Sequence, residues 1–201
     1  MRKLALSDEI LLSVDKAARY IGGEVNSVMK MDEDGNIDPN VKIRVAFDFP
    51  DVYEIGMSNL GMMLLYNMFN EREDVWCERV FSPWMDLDKV MREKNIPLFA
   101  LESQDPIRQF DFLCITLGYE MCYTNVLQTL DLSHIPLLAK DRDDSCPIVV
   151  GGGAAEDVDD LLFPFMGVIA QRAARPEHQF GNELQTALVL AGIQHPDHLG
   201  G

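Results

Sequence analysis

The feature that most constrains this chain is an alternation of short apolar runs with helix-like stretches, sustained from about residue 41 to residue 170. Val41 to Phe49 alternates, with Val41, Ile43, Val45 and Phe47 on one face, which is the pattern of a strand. Cys77 to Phe81, Phe112 to Leu117 and Pro147 to Val150 read as further strands, and Phe165 to Ala170 as a fifth. Phe112 to Leu117 is apolar almost throughout, as strands buried on both faces of a parallel sheet are. Between the strands, Ser58 is placed to open a helix carrying Leu60, Met63, Leu64 and Met68. Ser82-Pro83 sets proline in the first turn of a helix to about Lys94, and Thr124 to Leu132 reads as another. Strand and helix in strict succession build βαβ units with right-handed crossovers. The expected fold class is therefore α/β, a flavodoxin-like doubly wound parallel sheet of about five strands.

Around that unit, residues 1–40 form an N-terminal extension, residues 41–170 the α/β domain, and residues 171–201 a tail outside the pattern. Residues 7–21 predict a helix capped by Ser7, with Ile10, Val14, Ala17 and Ile21 at helical spacing and Gly22-Gly23 as its end. Residues 31–40 predict a polar turn or hairpin tip. In the tail, Asn182 to Ala191 has helical spacing, and the acidic run Glu156, Asp157, Asp159 and Asp160 reads as a solvated face.

Seventeen Lys and Arg stand against 33 Asp and Glu, a net charge of −16 that repels nucleic acid and anionic lipid. The apolar stretch Leu161 to Ala170 is interrupted by Pro164 and falls well short of the about 20 residues a membrane span needs. Met1 to Leu6 resembles the start of a signal peptide, but Asp8 and Glu9 break it, so a cytoplasmic location is expected. Cys77, Cys114, Cys122 and Cys146 contain no CxxC or CxxxC pair and read as reduced, buried thiols. His195 and His198 have ligand-like spacing without a third partner, so no metal site is expected.

In a doubly wound sheet, ligands sit outside the carboxyl ends of the strands at the switch in strand order. Three loops build that edge. The first, Phe49 to Ser58, carries Asp51, Tyr53, Gly56 and Ser58, for which turn-making and capping are the competing roles. It has neither GxGxxG nor GxxxxGK[ST], so dinucleotide and P-loop readings fail. The second holds Thr116, Gly118 and Tyr119, a glycine that permits close approach beside a ring that either stacks on a ligand or plugs the sheet end. The third is Gly151-Gly152-Gly153, a glycine loop after a strand that permits positive φ and close approach to a bulky ligand, with a flexible turn as the competing reading.

Several stretches in order resemble the N-terminal region of large bacterial radical S-adenosylmethionine proteins with a B12-binding-type domain. They are Ala18 to Glu24, Phe49 to Ser58, Trp76 to Phe81 with Pro83-Trp84, Pro97 to Ser103, Phe110-Asp111, Thr116 to Glu120, Asn125 and Gly151-Gly152. The resemblance implies a cobalamin-binding-like fold over about residues 9 to 153. It also implies that a following barrel in longer relatives holds a [4Fe–4S] cluster and S-adenosylmethionine through CxxxCxxC. This chain has no such motif and is not expected to be catalytic alone.

Cobalamin domains that ligate cobalt from below resemble one another in an Asp-x-His-x-x-Gly loop. Here the aligned run is Asp51 to Gly56, with Tyr53 at the histidine position. A phenol is a poor cobalt ligand beside imidazole, so cobalamin would be bound without an axial histidine, or not at all. Its cradle would be Asp51, Tyr53, Gly56, Ser58, Thr116, Gly118, Tyr119 and Gly151 to Gly153. After Gly153 the text departs from the relatives and reads as truncated before the barrel. The alternative function is a cofactor-free docking module for a radical SAM barrel, in cis or in trans, with Trp76, Trp84 and methionines at its surface.

Overall fold

The computed structural model describes residues 6–32, 34–153 and 168–170. Five strands form one sheet: β1 (Ile43–Phe49), β2 (Val75–Phe81), β3 (Phe112–Leu117), β4 (Ile148–Gly153) and β5 (Val168–Ala170). Their order is β2-β1-β3-β4-β5, and every pairing is parallel. This is the doubly wound, flavodoxin-like order that the alternation predicts. The expected fifth strand is present in part: Val168–Ala170 is β5, and residues 165–167 lie outside the described residues, as do the acidic run, Asn182 to Ala191, His195 and His198.

The crossovers split between the faces. After β1 the chain forms the short helix α2 (Tyr53–Gly56) and then α3 (Leu60–Asn70), whose Met62 and Tyr66 pack on Val45 and Phe47. After β2 comes α4 (Met85–Lys94), and after β3 comes α5 (Tyr123–Leu132). Leu87, Met91, Val126 and Leu130 of these two helices pack on Ala46, Leu113 and Ile115, the opposite face. Strand alternation sends neighbouring residues to the two layers, so each face acquires its own apolar cluster.

Two local expectations need correction. Residues 7–21 are not one helix: α1 is Asp8–Ser13, Val14 turns extended, and a 3-10 turn follows at Ala17–Arg19. Ser13 Oγ bonds the Ile10 carbonyl, and the Asp15 amide leaves the helix to bond Asp86 Oδ2 at 2.7 Å, a tertiary partner that spacing does not reveal. The helix after β1 is capped by Asn59, whose side chain accepts from the Met62 amide at 2.9 Å, not by Ser58. Ser58 instead donates to the carbonyls of Glu54 and Ile55, closing α2. Residues 31–40 do turn tightly, with Asp32 accepting from the Asp34 and Asn36 amides.

β2 is an edge strand, yet all seven of its residues are buried. An unpaired strand edge carries backbone groups that need partners. Side chains and a loop supply them. Lys30 Nζ donates to the Val75 carbonyl, and Asn70 bonds both the amide and the carbonyl of Cys77. The Arg79 amide donates to Glu102 Oε2 at 2.7 Å, and the Arg79 carbonyl accepts from the Leu101 amide at 2.7 Å.

The Arg79 side chain is fully buried and donates in four directions. Its Nε meets Glu102 Oε1 at 2.6 Å, its Nη2 meets Glu24 Oε2 at 2.8 Å and Ser27 Oγ at 2.7 Å, and its Nη1 meets Met57 Sδ at 3.1 Å. The guanidinium also lies 4.9 Å from the centroid of Tyr66. Burial pushes the Glu102 carboxyl above its ordinary range, and Arg79 opposes that shift.

Removing one partner of a buried pair leaves the other uncompensated. Arg79→Met is expected to lower the unfolding free energy by about 3–5 kcal/mol in urea titrations. Adding Glu102→Met to it should restore a large part of the loss, because the stranded carboxylate goes with it. Equal stability of Arg79→Met and the wild type would show that the pair contributes nothing.

Candidate functional site

The order of the strands reverses between β1 and β3, and the loops leaving their carboxyl ends meet there. Asp51 is fixed from three sides. Its carbonyl accepts from the Ser82 amide at 2.9 Å, its Oδ1 accepts from the Val52 amide at 2.7 Å, and its Oδ2 accepts from the Tyr119 hydroxyl at 2.7 Å. Asn125 Nδ2 adds a bond to the Pro50 carbonyl at 2.9 Å. Asp51 and Tyr119, 68 residues apart in sequence, are thus joined across the switch point. The Asp51 carboxylate raises the pKa of the Tyr119 phenol, whose residue remains 41% exposed. Gly118 beside it opens on free space, and a Cβ there would meet no atom within 4 Å. Thr116 sits half-buried in β3, paired with Gly152.

Tyr53 goes elsewhere. Its hydroxyl donates to Glu24 Oε1 at 2.7 Å, and its ring meets Phe81 edge-on with centroids 5.5 Å apart. Burial, then the neighbouring Glu24, pushes its pKa up to about 12. The residue therefore joins the Arg79 network on the β2 side of the loop, while Asp51 faces β3. Gly56 is buried for a packing reason, since a Cβ there would run into the Phe81 ring. Glu54 is held by Arg19 at 2.9 Å and Lys16 at 3.2 Å, and the Arg19 hydrogen bond takes its carboxyl down to about 2.

The glycine run is not a loop. Gly151, Gly152 and Gly153 are the last three residues of β4, paired with Ile115, Thr116 and Leu117 of β3. Gly151 and Gly152 also pair with β5. None of the three has positive φ. Their small size serves strand approach instead, because a Cβ on Gly153 would collide with the Leu117 carbonyl. Trp76 is likewise not at the surface. It is fully buried and its Nε1 donates to the Val28 carbonyl at 3.0 Å, whereas Trp84 is 41% exposed beneath the Arg19 guanidinium.

A residue that sequence reasoning passed over lies just below the switch point. Asp48 of β1 is fully buried, its Oδ2 accepts from Thr129 Oγ1 of α5 at 2.9 Å, and its Oδ1 has no hydrogen-bond partner. Burial raises its carboxyl to about 7, against which the Thr129 bond acts only partly. A carboxylate set between the apolar residues Phe47 and Phe49 of β1 was the available signal. A depression of about 770 Å³ lies at the opposite, amino edge, between Lys42, Arg108, Asp143, Cys146 and Ile148.

No thiol set suits a cluster. Cys77 and Cys122 are buried, Cys114 and Cys146 are half-buried, and burial pushes the Cys114 thiol up to about 12. Among the described residues no three metal-capable side chains come together. Nor is any described helix long and apolar enough to cross a membrane.

A family model described as radical SAM proteins, N-terminal, matches residues 61–171, more than half of the chain. No curated protein and no solved structure matches it.

Asp48 sets a pH dependence. Its folded pKa lies above the ordinary 3.8, so the folded state holds the proton more tightly. Its contribution to stability is fully present below about pH 4 and is lost as pH rises through about 7. Asp48→Asn should remove that slope, so that the variant gains on the wild type between pH 5 and pH 8, by an amount on the order of 2–4 kcal/mol. Parallel stability profiles for the two proteins in that window would refute a neutral Asp48.

Proposed function

Because this chain belongs to the N-terminal family of radical SAM proteins, we propose that it is an accessory module of a radical S-adenosylmethionine iron–sulfur enzyme, working against a cluster-bearing barrel in cis or in trans. The observation that carries this reading is chemical. The described cysteines are dispersed through the sheet and its connections, with raised pKa values at Cys77, Cys114 and Cys122, so the cluster and its S-adenosylmethionine belong to another domain. What this chain contributes is a rigid parallel sheet with a polar carboxyl edge and an apolar helix surface.

A second reading, corrin presentation, is favoured by the meeting of Asp51, Gly118 and Tyr119 at the switch point. The residues fit a flat, neutral, amide-fringed macrocycle held at its rim. Asp51 would accept from amide N–H groups, Tyr119 would exchange its bond to Asp51 for one to the ligand, and Gly118 would admit close approach. They do not fit a cobalt ligand from below, since Tyr53 is committed to Glu24. When bound, such a group would supply alkyl transfer or electron storage at cobalt. This chain's part would be to bind and orient it.

Titration of the purified chain with hydroxocobalamin tests the second reading. A saturable change in the visible spectrum, unaffected by replacing the four histidines and weakened several-fold by Gly118→Val or Tyr119→Ala, is the expected result. A folded chain that gives no spectral change removes the corrin and leaves the docking role. The docking role is tested by sedimentation of the chain with the reconstituted, CxxxCxxC-bearing domain of a longer family member, where co-sedimentation is expected and separate migration would sink it.

A further inference from the structure

We propose that Asp48 is a proton-operated latch on α5: when it loses its proton, the seat of α5 on β1 loosens and Tyr119 is released from Asp51. The latch depends on neither functional reading above. It is built from a row of three side-chain hydrogen bonds between the end of β1 and α5 with its lead-in. Thr129 Oγ1 donates to Asp48 Oδ2 at 2.9 Å, Asn125 Nδ2 donates to the Pro50 carbonyl at 2.9 Å, and the Tyr119 hydroxyl donates to Asp51 Oδ2 at 2.7 Å. As the chain leaves β1 through Asp48, Pro50 and Asp51, its partners step back along α5 from Thr129 to Asn125 to Tyr119. Thr129 and Asn125 are one helical turn apart on the same face of α5. Tyr119 is tied to the start of that helix, since its carbonyl accepts from the Cys122 amide at 3.2 Å. A shift of α5 off β1 therefore lengthens all three bonds together.

The inner end of the row is the weak one. Asp48 is fully buried, yet its Oδ1 has no hydrogen-bond partner among the described residues. The cluster on this face of the sheet includes Ala46, Val80, Leu87, Val126 and Leu130, whose side chains cannot donate. A protonated carboxyl tolerates such a place, whereas a carboxylate there needs water or a further donor. The charged groups on this face are already engaged with one another. Arg44 of β1 is bonded to Glu78 of β2 and to Asp105. Asp88 of α4 is held by Arg92 and Gln128. β3 contributes Leu113, Ile115 and Leu117. From the α5 end come the Tyr123 ring and the Cys122 thiol, which burial and then the Asp48 charge push up. Burial raises the Asp48 carboxyl to about 7, and the bond from Thr129 opposes that shift.

Below that value the carboxyl keeps its proton and the row is closed. As pH rises through it, the proton leaves to solvent and the carboxylate gains by letting water reach Oδ1. Parting α5 from β1 admits that water, and gives up the Thr129 bond and, further out, the Tyr119 bond. Ser82, whose amide bonds the Asp51 carbonyl, also leaves its Oγ without a partner among the described residues, so the outer end of the row offers water a second polar group. Asp51 and Tyr119 satisfy each other in the closed state and become available to a ligand in the open one. The latch thus sets when the carboxyl edge can bind, whatever binds there.

The test is a pH titration of the purified chain, isotope-labelled at tyrosine Cζ and followed by NMR, with Tyr119 assigned through Tyr119→Phe. The Tyr119 resonance is expected to move in one step centred near about pH 7. Its own phenol ionises far above that, because the bond to Asp51 raises its pKa further. Tyr53, bonded to Glu24 on the β2 side of the loop, should keep its position. Asp48→Asn should abolish the step. Thr129→Val, close in shape but without the donor, should carry the midpoint to higher pH. Glu78 is the rival carboxyl on this face, raised by burial to about 7, and Glu78→Gln should leave the step in place. A flat Tyr119 in the wild type, a step that survives Asp48→Asn, or one that Glu78→Gln abolishes overturns the latch. A step shared by Tyr53 overturns it too, since it reports unfolding of the whole chain. Where Asp48→Asn does not fold, Thr129→Val decides, and a midpoint that stays or falls overturns the proposal.

Discussion

The buried guanidinium of Arg79 is the interaction on which the rest of this structure depends. A parallel sheet cannot end in an unprotected strand without exposing backbone hydrogen-bonding groups. Here the end strand β2 is buried, and Arg79 stands at its centre with charge on one side and backbone on the other. Glu102 takes both the Arg79 amide and its Nε, so one carboxylate satisfies a strand edge and a buried cation together. Glu24 and Ser27 reach the far end of the same side chain and bring the N-terminal extension against the sheet. Four separate stretches, carrying Glu24, Met57, Arg79 and Glu102, meet at one cation. Arginine suits the position because its donors are arranged in a planar fork and it does not lose its charge on burial.

The same network shapes the candidate site from a distance. Glu24 binds Tyr53 as well as Arg79, which draws the first half of the loop after β1 toward β2. Asp51 remains on the other side, free to bond Tyr119. The loop is therefore divided between a structural half and a half that faces the switch point. Polar groups at that edge satisfy one another, so any ligand there must replace the Tyr119–Asp51 bond with bonds at least as good. Asp48 beneath them shows the opposite arrangement, a carboxyl with one oxygen bonded and one not, its pKa raised to about 7 by burial.

Much of the fold was legible from pattern. The strands around Val45, Cys77, Leu113 and Val149 fall where the apolar runs are, since burial on both faces leaves a signal that needs no knowledge of neighbours. The loops of the switch edge were legible because they follow those strands. The glycine run was read as a loop, because glycine serves both positive φ and close approach and only the position of Leu117 shows that it is strand here. The helix over residues 7–21 broke for a similar reason: Asp86, 71 residues from Asp15, takes the amide that would have continued it. Asp48, Glu78 and Arg79 were hidden inside strand patterns, where the identity of a partner, not of the residue, decides whether a charge is tolerated.

Periodicity alone therefore specified the α/β class, the parallel sheet and which loops share its carboxyl edge, because these follow from how often apolar side chains recur. Tertiary structure decided which long-range groups meet: Asp51 with Tyr119, Tyr53 with Glu24, and Arg79 with Glu102. The physical reason is that hydrogen bonds and ion pairs act over a few ångströms. Distance along the chain carries no information about them until the sheet has brought the strands together.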